Sequence, residues 1–114
     1  MVRKEEKTVR HAIRGGKGDV YTYHILQADE MMGHGRLYAK MVLPPGSSIG
    51  CHTHEGDTEP YYILKGQGIF TDADGSRVPV GPGDICTIAC GESHAIENAG
   101  DEDLEMIALI LFEA

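Results

Sequence analysis

The sequence predicts an all-β protein, a single-domain jelly-roll β-barrel, and three observations carry that expectation. Strand-forming runs recur along nearly the whole chain, several of them alternating apolar and polar side chains. The 15 glycines and 5 prolines punctuate it at short intervals. Beyond one short stretch, no segment sustains a 3.6-residue period. Eight or so short strands at close, regular spacing read as a sandwich or barrel of the jelly-roll kind. A length of 114 residues is enough for one core and too little for two.

Taken in order, residues 1–18 read as a short basic N-terminal arm and residues 19–114 as the barrel. The arm holds six Lys/Arg against two Glu, a net +4, whereas the remainder is −12. Without interleaved aromatics the arm reads as solvated, and the acidic body repels phosphate backbones, so no nucleic-acid partner is expected. Gly15-Gly16-Lys17-Gly18 lacks the frame of a phosphate loop and reads as a turn. Val20–Gln27 is rich in strand formers, and Gln27–Gly33 is the one candidate helical turn, with Met31-Met32 filling a gap in the core. Leu37, Ala39, Met41 and Leu43 alternate with Arg36, Tyr38 and Lys40 in a half-buried strand that Pro44-Pro45-Gly46 breaks. Ser47–His54 and Glu59–Lys65 follow as strands. Asp74-Gly75 marks a hairpin between Ile69–Thr71 and Val78–Val80. Strands at Ile85–Ile88, Ser93–Glu97 and Leu104–Phe112 complete the set.

Met106–Phe112 is apolar without alternation, so both of its faces need cover. Tyr62 and Leu64 add a second outward apolar row. A two-fold homodimer would bury both; the alternative cover is an N-terminal strand of the same chain.

Other classes recede. The first residues have no apolar h-region, so a secretory leader is not expected, and no apolar run is long enough to span a bilayer, so no membrane partner is expected. Cys51, Cys86 and Cys90 are odd in number and lack CxxC spacing. They read as reduced thiols of a cytoplasmic protein. Cys51 neighbours His52 but should face the other way, as a packing thiol.

His52 and His54, two residues apart on a strand, share a face. A reversal through Gly56 brings Glu59 back beside them, and His94 is a fourth candidate across the sheet. Three imidazoles and a carboxylate suit a divalent transition metal (Mn, Fe, Ni, Co, Cu or Zn). Four donors on a six-coordinate ion leave two positions for a ligand. Tyr61 should share the interior with Glu59 and is the candidate catalytic residue, its phenol able to donate a hydrogen bond. Ile63 and Ile96 are expected to wall the pocket. His11, His24 and His34 stand outside this pattern.

The wider spacing is more specific. Gly46, five residues, His52-Thr53-His54, four residues, Glu59, six residues and Gly66 match the first motif of the cupin superfamily. Gly83, Ala89-Cys90-Gly91, His94 and Asn98 match the second, with Ala89 where the family pattern has proline. From Leu37 to Phe112 the chain resembles a small single-domain cupin. The resemblance implies one metal ion inside the barrel, bound by residues matching His52, His54, Glu59 and His94. It also implies activities such as dioxygenases, isomerases, decarboxylases and epimerases acting on small oxygenated acids or sugars. The expectation is therefore a small metalloenzyme, with a non-catalytic binding module for a sugar or organic acid as the alternative. No second interior carboxylate is evident to serve as acid or base, which weighs against oxalate-type decarboxylation.

Overall fold

Period-two burial builds the molecule. In the last strand Leu104, Met106, Ala108 and Ile110 are buried while the residues between them are half-covered, as one face of a sheet turned to a core requires. The computed structural model describes all 114 residues. The strands are β1 (Glu6–His11), β2 (Asp19–Leu26), β3 (Gly35–Leu43), β4 (Ser48–Thr53), β5 (Asp57–Thr58) and β6 (Tyr61–Lys65). They continue with β7 (Gly68–Thr71), β8 (Arg77–Val80), β9 (Ile85–Cys86), β10 (Ser93–Asn98) and β11 (Leu104–Phe112).

Two antiparallel sheets form the jelly roll. The larger runs β1-β2-β3-β11-β6-β9, with β5 pairing β11, and the smaller runs β4-β10-β7-β8. Leu43, Ile63, Leu104 and Met106 from the larger sheet meet Ile49, Phe70 and Ile96 from the smaller in one core. The expected hairpin forms between β7 and β8, where Gly75 takes φ +84° and its N–H donates to the Asp72 carbonyl at 2.9 Å. Asn98 pins the loop into β11 by donating to the carbonyls of Leu43 and Glu102, both at 2.8 Å. The expected helical turn is a single 3-10 turn, Ala28–Met31. Met31, its last residue, is buried, and Met32 is exposed. No helix is long and apolar enough to cross a membrane.

The structure corrects the reading of residues 1–18. Glu6–His11 pair antiparallel with β2 along six residues, and Ile13 belongs to the core. Every residue of β1 is solvent-exposed, so backbone pairing rather than side-chain burial holds this strand. From Ala12 to Gly18 the chain crosses to the other sheet, where the Ser48 N–H donates to the Lys17 carbonyl at 2.8 Å. Two boundaries also move. Glu59 lies between β5 and β6, and β9 ends at Cys86.

Candidate metal centre

β4 delivers His52 on its last turns of chain, and His54 follows one residue past its end. The return through β5 brings Glu59 opposite them, and β10, paired with β4 so that His94 opposes His52, supplies the fourth side chain. The four expected donors converge. One ligand atom from each lies within 4.8 Å of the others. His54 Nε2 is 3.1 Å from both Glu59 Oε1 and His94 Nε2, and His94 Nε2 is 3.2 Å from His52 Nε2. Donors about 2.1 Å from a common ion at right angles to one another would be about 3.0 Å apart, so these edges fit adjacent positions on one ion. His54, Glu59 and His94 are buried.

The tautomers support that fit. His52 Nδ1 donates to the Gly50 carbonyl at 2.7 Å, and His54 Nδ1 donates to Asp57 Oδ1 at 2.6 Å. Both rings therefore turn the Nε2 lone pair inward, which is what a metal requires. His94 is oriented differently. Its Nδ1 is buried without a partner, and its ring stacks on Tyr61 at 5.0 Å with Phe70 edge-on at 5.8 Å.

Charge at the centre is self-consistent. Burial alone would raise the Glu59 carboxyl, but His52, His54 and His94 together outweigh it and hold it well below the usual carboxylate range. Glu59 in turn raises His54 above the ordinary imidazole value, against burial and with help from Asp57. His94 is lowered, chiefly by burial. Tyr61 is fully buried; its hydroxyl donates to Glu59 Oε1 at 3.1 Å, and burial with the nearby carboxylate keeps the phenol protonated far above its usual range.

A cavity of about 130 Å³ opens beside the tetrad. His52, His54, Glu59 and Tyr61 line it, together with Ile13, Leu37, Met41, Ile49 and Ile110. Ile63 and Ile96, expected on its wall, lie in the core instead. The remaining lining residues are Arg10, Arg14 and Arg36. Glu59 is thus the one carboxylate residue among the lining, against three arginines.

Sequence reasoning missed Asp57 and these three arginines. Asp57 binds His54 and, through Oδ2, Arg36 Nε at 3.2 Å; its only sequence signal is a carboxylate three residues after a histidine. Arg10 and Arg14 carry none, because a segment whose strand is wholly solvent-exposed leaves no mark in the hydropathy pattern. Cys51 faces away from the tetrad as expected, yet it is exposed rather than packed, and all three cysteines are free. His11 pairs with Asp19 on the surface, His24 with Thr8, and His34 is exposed.

Comparison with known proteins agrees with this fold. A family described as the Cupin domain matches residues 39–110. A curated relative, the oxalate-binding protein of Thermotoga maritima, is 50% identical over 113 residues, covering 97% of this chain and 93% of the relative. A crystal structure of a predicted oxalate decarboxylase from Thermotoga maritima superposes with a TM-score of 0.93 at 47% identity, covering 99% of each chain. The cupin domain of Schizosaccharomyces pombe Cnp3, at 10% identity, a TM-score of 0.73 and coverage of 98% of this chain and 90% of its own, shares the fold.

Proposed function

The chain belongs to the cupin family, and from that premise we propose that it binds a divalent transition metal through His52, His54, Glu59 and His94 and, beside it, a small dicarboxylate of the oxalate class. One observation carries the reading. Apart from Glu59, every charged residue lining the cavity is an arginine. Such a wall attracts an anion, and a pair of adjacent carboxylate oxygens suits neighbouring positions on an ion. The name of the half-identical Thermotoga relative, an oxalate-binding protein, supports the same ligand class.

A bound divalent ion supplies Lewis-acid attraction for oxygen donors. The chain's own residues do the rest. Asp57 and the Gly50 carbonyl hold His54 and His52 in the tautomers that face inward. Tyr61 orients Glu59 by donating to its Oε1. Leu37, Met41, Ile49 and Ile110 keep water from the apolar side of the cavity, which strengthens charge pairing inside it.

Binding is favoured over turnover. Loss of carbon dioxide from oxalate needs a group to move protons at the reacting atoms. Glu59 belongs to the tetrad, and no other carboxylate lines the cavity. A decarboxylase reading rests on Tyr61, whose hydroxyl lies 3.1 Å from Glu59 and 3.5 Å from His94 Nε2. Calorimetric titration of the metal-loaded protein with oxalate decides the proposal. Saturable binding is expected with metal, and none after chelation or in His54→Ala. Formate release on incubation with oxalate would favour the decarboxylase instead; absence of oxalate binding to the loaded protein would end the binding reading.

A further inference from the structure

Five arginines occur in a chain of 18 acidic residues, and three have carboxylate partners. Arg3 pairs with Glu30, Arg36 with Asp57 and Arg77 with Glu97. Arg10 and Arg14 form no salt bridge, and both line the cavity. Both are solvent-exposed, so the two arginines without a carboxylate partner, in a chain of net charge −8, stand on one wall of the cavity, open to an incoming ligand.

The backbone that carries them is held in place. Arg10 sits on β1, opposite Val20 of β2. Arg14 sits in the crossing segment, which is tied down at several points. Ala12 N–H donates to the Gly18 carbonyl at 2.9 Å, Gly16 N–H to the Ile13 carbonyl at 2.9 Å, and Lys17 N–H to Ser48 Oγ at 2.9 Å. Segment and β4 touch backbone to backbone. A Cβ at Gly50 would overlap the Arg14 carbonyl, and one at Gly16 would overlap the Ser48 carbonyl. Within this clamp Ala12 and Arg14 take left-handed conformations, φ 54° and 55°. Side-chain-bearing residues rarely adopt these unless their surroundings impose it, and such outliers cluster at ligand clamps.

We infer that Arg10 and Arg14 are the residues that select a dianion over a monoanion, with residues 6–18 acting as a fixed wall of the ligand site. The inference rests on the metal-dependent binding proposed above. A divalent ion and Glu59 leave one positive charge at the tetrad, enough for one carboxylate. The second negative charge of a dicarboxylate needs another cation, and Arg36 is already paired with Asp57 at 3.2 Å. Arg10 and Arg14 are free to meet it, and guanidinium is suited to paired carboxylate oxygens.

The test uses the Mn²⁺-loaded protein titrated by calorimetry with oxalate, malonate and inorganic phosphate, and with the monoanions formate and glyoxylate. Arg10→Gln and Arg14→Gln should each weaken dianion binding about tenfold or more, leave monoanion binding within about twofold, and leave metal content by elemental analysis unchanged. Arg14→Lys should recover part of the loss. Oxalate binding that is unchanged in the double variant overturns this inference and leaves the proposed function standing. If the wild type binds malonate or phosphate but not oxalate, and the variants lose that binding, the arginine assignment holds and the oxalate reading falls. Equal loss for mono- and dianions, or loss of metal in the variants, also overturns the inference. A wild type that binds no dianion removes both.

Discussion

At His54 two carboxylates act on one ring from opposite sides. Glu59 lies 3.1 Å from Nε2, and Asp57 accepts from Nδ1 at 2.6 Å. Both raise its proton affinity, Glu59 more strongly, while burial opposes them. A metal needs the neutral ring, so it must displace this proton. Metal affinity should therefore begin to fall as the pH drops through a value above the ordinary histidine pKa of about 6.5. Asp57→Asn removes one of the two charges and weakens the hold on the ring. Chelator competition should show metal affinity reduced about 10- to 100-fold near neutrality, with the acid fall-off beginning at lower pH. An affinity equal to wild type at both neutral and acidic pH would refute the role given to Asp57. The four candidate ligands were legible because i, i+2 geometry and motif spacing encode them. Asp57 was not, since a turn carboxylate reaches its histidine through a loop shape that no periodicity announces. Ala89 shows the same limit. Its N–H donates to Glu92 Oε1 at 2.6 Å, a bond that the proline of the family pattern could not make. The loop that leads into His94 is thus closed here by a side chain.

Among the elements, the strands with one buried face were readable and those without were not. β3 announces itself by alternation and β11 by an unbroken apolar run; β1 buries nothing and β5 is two residues long. β1 exists because β2 offers it an edge, and a polar edge strand leaves no mark in hydropathy. The crossing segment depends on Gly16, whose missing side chain admits the Ser48 carbonyl. Its φ of −72° suits alanine, so Gly16→Ala tests close approach alone. The added methyl should destabilise the fold by about 1–3 kcal/mol through overpacking, read from urea midpoints, and should weaken oxalate binding while the tetrad still holds metal. Wild-type stability and oxalate affinity in that variant would mean that the segment is not held where the structure has it.

The molecule as a whole leaves an apolar outer face on its larger sheet. Tyr62, Leu64 and Ile85 are 47%, 41% and 68% exposed. Tyr62 stands beside Ile85 on one side and Ile107 on the other, so the patch is continuous across three strands. β1 cannot cover it, because β2 and β3 separate β1 from β11. The alternative of self-cover by an N-terminal strand is thus not met. A homodimer is expected, with this face against its two-fold mate. Light scattering at micromolar concentration should give twice 12.4 kDa, and Leu64→Lys combined with Ile85→Lys should halve it. A wild-type monomer would count against the expectation.

β11 sits at the centre of the larger sheet, between β3 and β6, and Leu104 finds its partner in Leu43 far back along the chain. Seen in time rather than space, this means that the middle of the sheet is synthesised after both of its flanks. Until β11 arrives, β3 and β6 present open hydrogen-bonding edges with apolar side chains behind them. Pairing over such separations is slow. The interval before closure is when a chain with these edges is most exposed to its neighbours.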